Sequence, residues 1–257
     1  MLQKFIIKVK CIQTGTVKGN GGLEVHGWFF KWLQDLDPVL SEKVHGMDEK
    51  PFAVGPIYGG KKEKGKTILE AENEYTFSIS SLNQEIYDGL WKLTAAIDNY
   101  KLQLGSSNNI VTDIQPILSE KLDYIDVIKK SKLGSDNINL QFCSPTSFRQ
   151  QGTQELFPQP SLVFSSLLRK WNTFSPYMFP SELYLTDVIV SRYNLRTELV
   201  DFGKYKIIGC IGSCTYQLDK GIPGFQKELL HSLAFFAGIA GVGYKTSMGL
   251  GDARYLK

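Results

Sequence analysis

From Leu2 to Cys11 apolar and polar residues alternate, and Ile6, Ile7 and Val9 supply the β-branched content of a half-buried strand. After the turn Gly19 to Gly22 the period changes. In LEVHGWFFKWLQDL, Val25, Phe29, Trp32 and Leu36 share one helical face, with His26 beside it on the side of Phe30 and Leu33. Asp37-Pro38 starts a short second helix, PVLSEKV, with Asp37 as N-cap and Pro38 at its first position, and His45-Gly46 closes it. KPFAVGPIYG reads as a strand, KKEKGK as an exposed basic hairpin tip and NEYTFSI as the returning strand. Ser81 and Gln84 have capping-box spacing ahead of the helix LNQEIYDGLWKLTAAI, after which KLQLG and NNIVTDIQPIL read as strands. The order is β-α-β-β-α-β, with its fourth strand doubled or extended.

The second half repeats that order. Ile138 to Phe142 is a strand, and PSLVFSSLLRKWNTF is a helix with Leu162, Ser165, Leu168 and Trp171 on one stripe. ELYLTDVIVSRY and KIIGCIGSCTYQL are strands, PGFQKELLHSLAFFAG is a helix entered through Pro223, and MGLGDARYL is the closing strand. The halves share this sequence of elements without visible residue identity. The fold class expected is therefore α+β: two tandem ferredoxin-like (βαββαβ, RRM-like) units over residues 1–133 and 137–257.

A chain of 257 residues with 42% hydrophobic and 21% charged positions has an ordinary globular composition and suits two domains of common size. The net charge of +3 names no partner, but the charges are unevenly spread. Residues 1–66 carry 11 Lys/Arg against 7 Asp/Glu and residues 141–257 carry 12 against 8, around a stretch with 6 against 11. A folded chain could turn those two basic segments into one cationic face. Cys11, Cys143, Cys210 and Cys214 have no histidines at zinc spacing and read as small buried hydrophobes in a reducing compartment. The start lacks a signal-peptide apolar run. LLHSLAFFAGIAGVGY, broken by His231, Ser232 and three glycines, is too short to cross a bilayer. A cytoplasmic protein with no membrane partner is expected.

The densest local signal is GVGYKTSMGLG, Gly241 to Gly251. Glycines admit close backbone approach, and successive N–H groups in such turns make anion sites. A nucleotide P-loop needs Gly-Lys-Ser/Thr between a strand and a following helix. Here Tyr244 separates Gly243 from Lys245, a helix precedes, and only a strand can follow. A dinucleotide loop fails because no βαβ unit lies downstream. The plain alternative is a helix C-cap leading to the last strand.

AGVGYKTSMGLGDAR resembles the C-terminal glycine-rich loop of the CRISPR-associated RNA-processing endoribonucleases of the RAMP superfamily. LEVHGWFF, KVHGMDEKPFAVGPI and FCSPTSFR followed by PSLVFSSLLRKWN fit the same family in the same order, so the resemblance covers nearly the whole chain. It implies two ferredoxin-like units, in agreement with the periodicity. It also implies cleavage of CRISPR repeat RNA without metal or cofactor. The ribose 2′-OH attacks the adjacent phosphorus, leaving a 2′,3′-cyclic phosphate and a 5′-OH.

That reaction needs a base, an acid and cations around the phosphorane, and histidine suits the first two near neutral pH. His45 aligns with the family's catalytic histidine, and its place at a helix end, where the dipole favours a cation, suits the acid. His26 takes the complementary role, and the two roles could be exchanged. His231 reads as structural. Other members use a tyrosine and a lysine; here Phe29, Phe30 and Lys31 occupy the first helix, so Lys50 is the candidate cation, with Lys31 behind it. The family's strand phrase has hydroxyls where this chain has Ala53 and Gly55. Gly241, Gly243, Lys245, Thr246, Ser247, Gly249 and Gly251 are expected to hold RNA phosphates, with Arg149, Arg169, Lys170, Arg192 and Arg254 as further backbone contacts. Expected partners are precursor and product repeat RNA, with an effector complex or a second copy of the chain as further candidates. Two rivals share the glycine loop: a catalytically silent RAMP subunit that only binds guide RNA, and an unrelated enzyme with a phosphate ligand.

Overall fold

A computed structural model describes residues 1–95, 100–117, 122–131, 135–181, 183 and 185–256. Residues 132–134, at the expected domain boundary, and the end of the helix expected to reach Ile97 lie outside that set. The chain divides into two compact units. The first is Met1–Lys121 with Leu199–Ile207 and Ser247–Gly249; the second is Leu122–Glu198 with Ile208–Thr246 and Leu250–Lys257.

The first unit runs β1 (Gln3–Gln13), β2 (Gly15–Lys18), α1 (Gly22–Leu36), α2 (Pro38–Gly46), β3 (Phe52–Val54), β4 (Lys61–Glu63), β5 (Lys66–Leu69), β6 (Glu74–Ser81), α3 (Gln84–Ala95), β7 (Lys101–Leu104) and β8 (Ser107–Pro116). Its main sheet has the antiparallel order β3-β6-β1-β8-β7, the ferredoxin-like arrangement with one added edge strand. Phe5, Ile7 and Val9 of β1 alternate into a core that also takes Val25, Phe29, Trp32 and Leu33 of α1. Each such side chain contributes about 1.5–3 kcal/mol when fully buried. KKEKGK forms most of the exposed β4–β5 hairpin, with Lys64 and Gly65 at positive φ in its turn. The expected capping box is absent: Ser81 ends β6, where its hydroxyl lies 3.4 Å from the Gln3 carbonyl. The cap of α3 is Asn83, whose side-chain oxygen accepts from the Ile86 N–H at 3.0 Å.

The second unit runs α4 (Tyr124–Ser131), β9 (Asn137–Thr146), β10 (Phe148–Gln150), β11 (Thr153–Glu155), α5 (Pro160–Phe174), β12 (Val188–Asp201), β13 (Lys206–Leu218), α6 (Gly224–Ala240) and β14 (Ala253–Leu256), the ends of β12 and β13 counting with the first unit. Its sheet order β12-β13-β9-β14 repeats the ferredoxin-like arrangement. The buried face of α5 differs from the expected stripe. Val163, Phe164, Leu167, Leu168 and Trp171 face inward while Ser165 is exposed, because adjacent apolar pairs make a face broader than one row. His231 on α6 is buried, with a ring nitrogen 2.7 Å from the Tyr255 hydroxyl and the other 2.7 Å from the Ser135 carbonyl.

Candidate active site

Two consecutive helices of the first unit carry His26 and His45. Asp37 ends α1 and caps α2, its carboxylate accepting from the Leu40 N–H at 2.9 Å. His45 lies exposed in the last turn of α2. Both imidazoles pack on the same ring, that of Phe30: His26 edge-on at 4.8 Å between centroids and His45 at 5.5 Å. A groove of about 540 Å³ lined in part by Phe30, Lys31, Val39, Glu42 and His45 opens there, within the size range of small-ligand sites. Its walls offer an aromatic face, an aliphatic face and both signs of charge.

His26 Nδ1 lies 2.8 Å from the carbonyl oxygen of Ser247. A carbonyl only accepts, so Nδ1 carries the proton, and in the neutral ring the lone pair sits on Nε2. The arrangement depends on the turn ahead of α1. Asn20 Nδ2 donates to the Gly249 carbonyl at 2.7 Å while its Oδ1 accepts from the Gly22 N–H at 3.1 Å. Gly249, at φ +84°, lies directly against Gly22: a Cβ on Gly249 would stand 2.6 Å from the Gly22 Cα. Glycine at both positions is what lets the segment Ser247–Gly249 meet the start of α1.

Lys50 sits beside His45, but as the cap of α2. Its ammonium donates to the His45 carbonyl at 2.9 Å and also to the Met47 carbonyl. Burial pulls its pKa below the ordinary lysine value, with Asp48 opposing. Two of its three donors are therefore engaged in holding the turn that presents His45.

Most of the glycine loop lies in the second unit, and there its backbone donors meet acceptors of the chain itself. The N–H groups of Val242 and Gly251 donate to Gly251 and Pro145, and that of Tyr244 to Ser147, at 2.8, 3.1 and 2.8 Å. Gly241, Gly243, Gly249 and Gly251 are all buried, and a Cβ on Gly243 would collide with the Ser147 carbonyl. These glycines serve close approach of the chain to itself. Lys170, among the expected backbone contacts, is buried and donates to the carbonyls of Ala240 and Gly241 and to the Thr246 hydroxyl at 3.0, 3.2 and 2.7 Å, closing the end of α6. Thr246 is buried as well. Tyr244, Lys245, Ser247 and Met248 are the loop residues that keep partial exposure. The Lys245 ammonium lies 5.0 Å and the Arg149 guanidinium 5.7 Å from the Tyr244 ring centre. Arg169, Arg192 and Arg254 are exposed on α5, β12 and β14.

Residues 140–253 match the family model described as CRISPR-associated endoribonuclease Cas6. Over 242 residues, spanning 90% of each protein, the chain is 23% identical to the CRISPR-associated endoribonuclease Cas6 of Streptococcus thermophilus. A solved Cas6 product complex superposes with a TM-score of 0.78 at 26% identity, covering 100% of this chain and 99% of that one. Thermus thermophilus Cas6 superposes with a TM-score of 0.74 at 21% identity, covering 100% and 98%. In sequence and in fold the chain is similar to CRISPR-associated endoribonucleases of the Cas6 kind.

The sequence pattern singled out His26, His45 and Lys50, and the first unit places His26 and His45 against the Phe30 ring and Lys50 on the His45 carbonyl. It missed Asn20, whose role shows only once the Gly249 carbonyl is beside it. It also treated Tyr244 as a spacer. The Tyr-Lys pair next to glycine was the available signal, a ring beside a cation in a turn. The glycine at position 55, where the resemblance led us to expect a hydroxyl, has a local cause: Ser78 occupies the space a side chain there would need. Among the described residues no helix is long and apolar enough to cross a membrane.

Proposed function

We propose that this chain is a Cas6-type endoribonuclease that cleaves CRISPR repeat RNA within the precursor transcript without a metal ion, His26 and His45 moving the protons. His26 Nε2 takes the proton of the 2′-OH, the freed oxygen attacks the adjacent phosphorus, and the P–O5′ bond breaks. His45, as imidazolium, gives its proton to the departing 5′-oxygen. The products are a 2′,3′-cyclic phosphate and a 5′-OH. The two histidines then differ by one proton from their starting states, and exchange with water resets them. The observation that carries this reading is the pair of imidazoles packed on Phe30, one with its Nδ1 proton committed to a carbonyl. That bond supports the base assignment to His26. Exposure of His45 at a helix C-terminus supports the acid, since the helix dipole there favours a cation.

The nearby groove is the natural seat for a nucleotide flanking the scissile phosphate, and Arg149, Tyr244 and Lys245 of the second unit are candidates for contact with another part of the strand. The test uses the repeat RNA encoded beside this gene, incubated with the protein in EDTA. Cleavage with cyclic-phosphate ends, abolished by a 2′-deoxy substitution at the nucleotide before the break, is expected. Products bearing 5′-phosphate, or cleavage of the deoxy-substituted RNA, would remove the proposal. Tight binding with no cleavage would favour a silent RNA-binding subunit.

A further inference from the structure

We infer that the segment Ser247–Gly249 is a positioning element for His26. By docking on the start of α1 it hands the Ser247 carbonyl to Nδ1 and thereby fixes which nitrogen of His26 faces the reaction. This rests on the proposal that His26 is the base.

Three independent features point the same way. The Ser247 carbonyl lies 2.8 Å from His26 Nδ1, a bond only the Nδ1–H ring can make. The segment is anchored by Asn20, a buried side chain that bridges the Gly249 carbonyl and the Gly22 N–H. The anchorage requires two glycines facing each other, because a methyl on either one would strike the other's backbone. Gly22 lies in α1 at ordinary helical φ, so its need for glycine comes from this contact rather than from local conformation. Among the described residues, the rings of Phe30, on its own helix, and Phe52 of β3 pack against His26. In water a neutral imidazole samples both tautomers. The carbonyl selects the one with its lone pair on Nε2, and a misassigned tautomer in a catalytic histidine can cost several powers of ten in rate.

Gly22→Ala is the most informative probe. Alanine favours a helix over glycine, so α1 is retained, while its methyl pushes Gly249 and with it the Ser247 carbonyl away. Asn20→Ala tests the same link from the anchor side. Three quantities are read for each: the single-turnover cleavage rate, the affinity for uncleaved 2′-deoxy repeat RNA, and the ring-nitrogen NMR shifts of 15N-histidine-labelled protein above the histidine titration. The wild-type spectrum should place the neutral His26 proton on Nδ1. Both variants should show a mixture with Nε2–H, a rate lowered by about tenfold or more, and affinity within about twofold of wild type. A wild-type spectrum with the proton on Nε2 overturns the inference with no variant needed. So does a Gly22→Ala protein with wild-type rate and tautomer, or one whose loss lies in affinity while the tautomer stays put, which would make the segment a phosphate contact instead. His26→Ala separates the two layers. If it cleaves as wild type the base assignment falls, whereas if it is inactive and both Gly22→Ala and Asn20→Ala are normal only the positioning role falls.

Discussion

Lys170 sits at 3% exposure with its ammonium among three oxygens, an arrangement that repays burial of a charge only because each N–H has an acceptor. In the sequence it reads as a candidate contact to the RNA backbone, because burial of a lysine depends on carbonyls some 70 residues away. Lys170→Met should leave those carbonyls without their donor and cost about 1–3 kcal/mol, a fall in melting temperature of roughly 2–10 °C. Affinity for repeat RNA measured below that transition should be unchanged. A phosphate-binding lysine would show the reverse, normal melting and weakened binding. Burial also sets cysteine reactivity. It pushes the Cys210 thiol up to about 12 and raises Cys214, so neither forms appreciable thiolate at pH 8. Mass spectrometry after iodoacetamide treatment of the folded protein should find both unmodified, and labelling of either would contradict the packing.

The elements most legible in the sequence are those whose period matches their burial. β1 alternates in sequence and in structure, and α1 buries Val25, Phe29 and Trp32 as its spacing demands. Legibility fails where a second interaction decides. Ser81 with Gln84 fits a capping box, but the β1–β6 ladder keeps Ser81 in a strand and Asn83 becomes the cap. β10 and β11 are three residues each, too short for a periodic signal. The cap of α2 was readable because Asp37-Pro38 acts locally, and it has a functional consequence: α2 is a nine-residue helix holding His45 in its last turn. Asp37→Ala should cost about 1 kcal/mol, a drop of roughly 2–4 °C in melting temperature, and should slow cleavage more than it weakens RNA binding. Unchanged cleavage at a lowered melting temperature would show that α2 needs no cap to present its histidine.

At the scale of the molecule, the repeated β-α-β-β-α-β order was visible because each element carries its own pattern, and the two sheets share one strand order. The packing of the glycine loop was not visible. Its glycines pack against the chain's own backbone, which no local pattern announces, while Tyr244, Lys245 and Ser247 keep partial exposure. If the basic segments 1–66 and 141–257 meet the phosphates, RNA affinity should fall steeply with salt. Lys245→Ala and Arg149→Ala should each flatten the plot of log affinity against log salt by about one unit, and an unaltered slope would take the residue out of the interface. The central claim is that His26 and His45 move the protons. It is met most directly by the single-turnover rate of repeat-RNA cleavage, at saturating protein and in EDTA, for wild type, His26→Ala and His45→Ala. The account predicts that each variant binds the RNA normally and cleaves it slower by about 10²–10⁴-fold. A His45→Ala protein that cleaves at the wild-type rate would contradict it.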